Sequence, residues 1–135
     1  MNLHKVPVIS IVDDDESVRE ATQSLVRSLG YRAVTFRSAK EFLESSHLMA
    51  TACLITDVQM PGLSGADLQD RLIAEGLRMP MIFVTAFLDE VLQTRVLKRG
   101  AFGYLPKPFN EDRFIECLDA ALGANARSLV LDATG

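Results

Sequence analysis

Four places in the chain put residues able to handle a divalent cation and a phosphoryl group directly after short apolar runs. Asp13 and Asp14 follow Val8-Ile9-Ser10-Ile11-Val12, Asp57 follows Ala52 to Thr56, Thr85 follows Met81 to Val84, and Lys107 comes just after Phe102 to Leu105. If these positions converge, three carboxylates would repel one another and raise one another's pKa unless something positive sits among them. A hard cation with oxygen ligands answers that need. Mg²⁺ in particular uses one or two carboxylates, keeps several waters and shares its shell with a phosphate. Lys107 adds a compact, mobile charge that can reach both a carboxylate and a phosphoryl oxygen. The Thr85 hydroxyl and the backbone N–H of Ala86 are donors for an incoming oxyanion. Asp57 can itself be the nucleophile, forming an acyl phosphate, and positioning with charge neutralisation then supplies most of the catalysis.

The elements that would bring these positions together are legible as an alternation. Val8–Val12 reads as a buried strand, and Val18, Ala21, Leu25 and Leu29 recur at helical spacing until Gly30. Tyr31 to Phe36 reads as a second strand. Ser38 is placed to cap a second helix, with Glu41 set to complete a capping box and Phe42 and Leu43 facing inward. A strand at Ala52 to Thr56 leads through a Gly62–Gly65 turn to a helix carrying Leu68, Leu72 and Ile73. Pro80 opens the strand Met81 to Val84. A helix from Asp89 to Arg99 ends at Gly100, and Phe102 to Leu105 forms the fifth strand. Asn110 caps a last helix with Phe114, Leu118, Ala121 and Leu122 in one stripe. Five strands alternating with five helices predict an α/β domain, a doubly wound parallel sheet of flavodoxin-like type. Ligands in such sheets bind beyond the carboxyl ends of the strands, at the topological switch point, and that is where the residues above fall.

Composition sets the frame. The 135 residues fit one domain, assigned to residues 1–123 with 124–135 as a tail or the start of a linker. With 48% apolar residues the chain can build a core without staples. A net charge of −4 argues against a nucleic-acid or anionic-membrane surface, without excluding a local basic patch. Cys53 and Cys117 match no metal or redox spacing and read as small thiols in a reducing compartment. Met1 to Pro7 is too polar for a signal peptide, and no apolar run approaches the ~18 residues of a membrane helix, so a cytoplasmic location is expected. His4 and His47 read as surface residues, and the methionines as core or turn filler.

The four chemistry-bearing stretches, Ile11-Val12-Asp13-Asp14, Thr56-Asp57-Val58-Gln59-Met60-Pro61 with Gly65, Val84-Thr85-Ala86 and Tyr104-Leu105-Pro106-Lys107-Pro108-Phe109, resemble the receiver domain of two-component response regulators, in wording closest to the nitrogen-fixation regulator branch. The resemblance implies a phosphorylation-controlled switch, not a turnover enzyme. It implies that Asp57 accepts a phosphoryl group from a sensor histidine kinase or phosphotransfer protein. Asp14 would bind Mg²⁺ directly, Asp13 mainly through water, and Asp57 and the Gln59 carbonyl would complete the ligands. It further implies that Lys107 holds the phosphoryl group and pairs with Asp57, that Thr85 swings toward the phosphoryl oxygen, and that Tyr104 then moves inward. The Lys107–Pro108 bond is expected to be cis. A homodimer through the fourth helix, fifth strand and fifth helix is an expected mode of output, with no membrane or direct nucleic-acid contact by this domain. The output partner is not named by the sequence, and neither is an effector domain.

Plainer readings compete at particular positions. Asp15 and Glu16 read as solvated acids at a helix start, and Asp14–Asp15 is the alternative metal-facing pair if the register shifts. Tyr104 could be simple core packing. Phe87, two residues after Thr85, is bulkier and more apolar than expected near a water path. It reads as a contact on the first turn of the fourth helix, as an aromatic offered to a partner, or as a guard on the phosphoryl group. A haloacid-dehalogenase-like phosphatase would want a second acid where Gln59 stands. A flavodoxin-like FMN carrier would not place carboxylates after its first strand. A degenerate receiver would lack some of the phosphorylation residues.

Overall fold

The computed structural model describes residues 6–134; the expectation for His4 lies outside them, as does that for the start of the segment Met1 to Pro7. Ten elements alternate in chain order: β1 (Val8–Val12), α1 (Glu16–Ser28), β2 (Arg32–Phe36), α2 (Ala39–Leu43), β3 (Thr51–Asp57), α3 (Gly65–Ala74), β4 (Met81–Thr85), α4 (Glu90–Lys98), β5 (Gly103–Pro106) and α5 (Glu111–Thr134). The strands form one parallel sheet in the order β2-β1-β3-β4-β5. Chain order reverses between β1 and β3, so the switch point lies at their carboxyl ends. No helix among the described residues is long and apolar enough to cross a membrane.

Strand side chains alternate between two cores, as a period of two demands. Ile9, Ile11, Cys53, Ile55, Ile82, Val84 and Leu105 pack on one face, beneath Val26 of α1 and Phe114 and Leu118 of α5. Val12, Leu54, Met81, Phe83 and Tyr104 pack on the other, beneath Phe42 of α2, Leu68 and Leu72 of α3 and Val96 of α4. Both faces being covered explains why β1 and β4 are buried at every position and read as continuous apolar runs. Cys53 is wholly buried and Cys117 half-buried, both as free thiols, and burial pushes the Cys53 thiol far up.

Helix boundaries follow the capping residues. Asp15, Ser38, Ser64, Asp89 and Asn110 each accept a hydrogen bond from a backbone N–H of the following turn. Gly30 and Gly100, at φ +95° and +103°, turn the chain out of α1 and α4. Three expectations need correction. The reciprocal capping box forms at Ser64 and Asp67, whereas Ser38 receives only the Glu41 N–H. Thr22 and Val26, rather than Ala21, are the buried residues of α1, and the Thr22 hydroxyl is satisfied by donating to the Val18 carbonyl of the preceding turn. Ile73 is 49% exposed, since the inward stripe of α3 runs through Ala66, Leu68, Gln69 and Leu72.

One glycine bears directly on the site. A Cβ on Gly65 would stand 2.3 Å from the Asp57 carbonyl oxygen and 3.0 Å from Val58 Cα, both backbone atoms that cannot swing aside. The close approach is fixed by the Gly65 N–H, which donates to the Val58 carbonyl at 2.8 Å. Gly65→Ala is expected to cost about 1–3 kcal/mol through overpacking, read as a lowered urea midpoint, and to shift the Asp57 amide in NMR. An unchanged midpoint would show that the β3–α3 turn yields.

Candidate functional site

Asp13 is the most tightly held acid of the site. It is 1% exposed. Its N–H donates to the Phe36 carbonyl at 3.1 Å, its Oδ1 accepts from the Asp15 N–H at 2.9 Å, and its own carbonyl accepts from Arg19 Nη1 at 2.8 Å. Asp14, next along, is exposed at the mouth. Asp15 is occupied as the cap of α1, which removes the alternative Asp14–Asp15 pairing.

Across the switch point, Asp57 ends β3 and is 6% exposed. Its Oδ1 accepts from the Gln59 N–H at 3.2 Å, and its Oδ2 from Lys107 Nζ at 2.9 Å. The same Nζ lies 2.8 Å from Asp13 Oδ2, so Lys107 bridges two carboxylates, one more than the expected pairing with Asp57. Lys107 is aimed there because its own N–H donates to the Thr85 carbonyl at 2.8 Å, pinning the end of β5 to the end of β4. The Lys107–Pro108 peptide is cis.

The charges are coupled as such a geometry requires. Burial pushes the Asp57 carboxyl above its ordinary value; Lys107 pulls it back in part, and Asp13 adds to the rise. Burial alone would lower the Lys107 ammonium, but Asp13 and Asp57 more than reverse this, and it ends above the ordinary lysine value. One ammonium facing three acids leaves the cluster under-compensated.

Thr85 is buried, and its hydroxyl is engaged twice with the Phe87 backbone, donating to the carbonyl and accepting from the N–H, each at 3.1 Å. The Phe87 ring is 68% exposed, so the expected contact on the first turn of α4 is not made. The Tyr104 ring is 7% exposed, inside the core under α4, with its hydroxyl accepting from the Asp89 N–H at 3.4 Å. The expected inward movement of Tyr104 concerns the phosphorylated state; in this conformation the ring already packs in the core beneath α4.

Carboxylate oxygens of Asp13, Asp14 and Asp57 lie within 4.8 Å of one another. The donor set is all oxygen, and the buried Asp13 Oδ2 is met only by the Lys107 ammonium at 2.8 Å, which it shares with Asp57. Three converging carboxylates with a single ammonium among them fit a hard cation and its waters. Sequence reasoning brought Asp13, Asp14, Asp57 and Lys107 to one place, and the fold does the same. It missed Arg19, whose only sequence signal is a basic residue one turn into the helix that follows the acidic strand end.

Comparisons with known proteins agree with this geometry. Residues 9–119 match the response regulator receiver domain family. The chain is 40% identical over 120 residues to nodulation protein W of Bradyrhizobium diazoefficiens, covering 89% of this chain and 52% of that protein. It is 36% identical over 118 residues to the transcriptional regulatory protein FixJ of Azorhizobium caulinodans, covering 87% and 56%. Among solved structures, the response regulator StyR superposes with a TM-score of 0.88 at 39% identity, over 95% of this chain and 65% of that one. The chain thus spans about half the length of the curated relatives it matches.

Proposed function

The chain belongs to the response regulator receiver domain family, a signalling switch of two-component systems rather than a turnover enzyme, and from that premise we propose that Asp57 is its phosphoacceptor and that the acids beside it work with Mg²⁺. The observation that carries this reading is the convergence of carboxylate oxygens of Asp13, Asp14 and Asp57 within 4.8 Å of one another, with the Lys107 ammonium between Asp13 and Asp57.

In the proposed reaction an Asp57 carboxylate oxygen forms a bond to phosphorus, and the phosphorus–nitrogen bond of a phosphohistidine donor breaks. The electron pair leaves with the imidazole. Asp13, Asp14, Asp57 and the Gln59 carbonyl would hold Mg²⁺, which when bound neutralises charge on the phosphoryl oxygens. Lys107 and the Ala86 N–H receive phosphoryl oxygens, and Asp13, fixed by its hydrogen bonds, keeps the acids aligned without reorganisation. The donor is a sensor histidine kinase or phosphotransfer protein. A cavity of about 490 Å³ beside Lys107, walled by Val18, Ala21, Leu25 and Phe109, supports its approach between α1 and the β5–α5 loop.

The switch runs through the β4–α4 loop. A phosphoryl group adds ~1.5–2 negative charges at Asp57, a better acceptor for the Thr85 hydroxyl than the Phe87 carbonyl. Giving up its two Phe87 contacts frees the loop from residue 87 to Asp89, the cap of α4, and the Tyr104 hydroxyl on the Asp89 N–H transmits the shift to β5. Beryllofluoride with Mg²⁺ is expected to move the amide signals of Phe87, Asp89 and Val91 and the ring of Tyr104. Thr85→Ala is expected to accept the phosphoryl group yet leave those signals near their starting positions. Unmoved signals in the unaltered chain would reject this route. The exposed apolar residues Val91 and Leu97 of α4, with Phe87 and Leu88 before it, support self-association through the α4–β5–α5 face as an output. We assign residues 1–123 to the receiver unit and 124–135 to a tail or the start of a linker; α5 runs as one helix to Thr134.

Phe87 is proposed as a guard on phosphoryl lifetime. Hydrolysis needs water in line with the Asp57–phosphorus bond, and a phenyl ring beside the loop neither orients water nor leaves room for it. Phe87→Glu and Phe87→Ala are expected to speed loss of phosphoryl-Asp57 roughly tenfold, ~1.4 kcal/mol of barrier, with Mg²⁺ affinity unchanged. Equal or slower decay in both variants would place the ring away from the water path.

A further inference from the structure

We propose that Arg19 is a positioning residue for the metal-binding acids: by holding the Asp13 carbonyl it sets the peptide plane that aims Asp14. The proposal rests on the reading of this site as a divalent-cation site. Asp13 and Asp57 are each anchored by several partners, but no hydrogen bond among the described residues holds the Asp14 side chain, which is exposed. Only the backbone therefore sets the point and angle from which it reaches the site. The 13–14 peptide is held at its carbonyl by Arg19 Nη1 at 2.8 Å, part-buried across the start of α1. The base of that arm is rigid, since the Arg19 N–H donates to the Asp15 carbonyl at 2.9 Å and Asp15 caps the helix. An arginine suits the task because its planar fork reaches a carbonyl with little loss of freedom and never loses its proton.

The sign of the effect separates positioning from charge. A cation beside three acids weakens Mg²⁺ binding by repulsion, so removing Arg19 would strengthen binding if charge were all it supplied. If Arg19 aims Asp14, removing it weakens binding, and outer-shell partners of metal ligands typically contribute about 10–100-fold in affinity. Arg27 is the internal control: it lies on the same helix and its Nη2 donates to the Ala33 carbonyl at 3.3 Å, far from the acids in sequence and at the other end of α1.

The experiment is Mg²⁺ titration of the unphosphorylated chain, followed by amide NMR and calorimetry, for the unaltered protein, Arg19→Met and Arg27→Met, with thermal unfolding of each in EDTA. Arg19→Met is expected to bind Mg²⁺ about tenfold more weakly and to shift the Asp14 and Asp15 amides before metal is added, while Arg27→Met binds as the unaltered chain does. If Arg19→Met does not fold, Arg19→Gln, with a shorter arm that falls away from the carbonyl, is expected to give the same order. Equal or tighter binding by the Arg19 variant, or equal weakening in both variants, would overturn the proposal. No Mg²⁺ binding by the unaltered chain would instead remove the cation reading itself, and the proposal with it.

Discussion

Asp57→Ala is expected to gain no phosphoryl mass from acetyl phosphate or phosphoramidate with Mg²⁺, under conditions in which the unaltered chain gains one. The argument is local. Asp57 ends β3 at the switch point, with Oδ1 accepting from the Gln59 N–H and Oδ2 from Lys107 Nζ. Burial raises its pKa and Lys107 offsets part of that rise, and a carboxylate so placed can act as the nucleophile toward phosphorus. Asp14→Ala and chelation by EDTA are expected to slow labelling on the order of a hundredfold or more, equivalent to roughly 2.7 kcal/mol of barrier. Fast labelling of Asp14→Ala would mean that Asp13 and Asp57 suffice for the metal.

Lys107→Ala carries the second large effect, and it divides into three readouts. Removing the ammonium leaves Asp13 and Asp57 facing each other with no counter-charge. Breaking a fully buried pair costs ~3–5 kcal/mol, and with this site open at its mouth about 2–3 kcal/mol is expected at neutral pH. In the unaltered chain the raised Lys107 pKa means its stabilisation is fully present below the ordinary lysine value, 10.5, and is lost as pH rises through the higher folded value. Asp57 has the same sign of pH dependence, in a lower window. Its raised pKa makes the folded state bind the proton more readily, so its contribution worsens as pH climbs from the ordinary carboxylate value, 3.8, through the folded one. Lys107→Ala is therefore expected to show a stability deficit that shrinks on mild acidification and on adding Mg²⁺. Its Mg²⁺ affinity should stay within a few-fold of the unaltered chain, while the beryllofluoride-induced shifts at Phe87 and Asp89 disappear. A large loss of metal affinity with intact shifts would contradict these roles.

The acids and the lysine were legible because each sits immediately beyond an apolar run, and in a parallel sheet the ends of such runs share an edge. Asp15 reads from the sequence as a solvated acid at a helix start, with Asp14–Asp15 as the alternative pair, since consecutive acids differ only in where α1 starts. The Asp15 cap on the Val18 N–H decides it. The apolar stripe of α1 in the sequence runs through Ala21 because alanine counts as apolar. The helix instead buries Thr22, whose hydroxyl is satisfied by the Val18 carbonyl and so can enter the core. Tyr104 was recognised as either switch or core. Its burial depends on how closely α4 packs on β5, a tertiary distance with no local signature. Arg19 went unread for a related reason: a guanidinium reaching back six residues to a carbonyl is a rotamer choice, and arginine on a helix is ordinarily a solvated residue.

The most direct test of the account is the chemical identity of residue 57 after phosphorylation. The chain is incubated with acetyl phosphate and Mg²⁺, reduced with borohydride, which converts an aspartyl phosphate to homoserine, and mapped by peptide mass spectrometry. Homoserine is expected at position 57 alone, and only when donor and metal are both present. Homoserine at Asp13 or Asp14, or conversion at Asp57 that is undiminished in EDTA, would contradict the account.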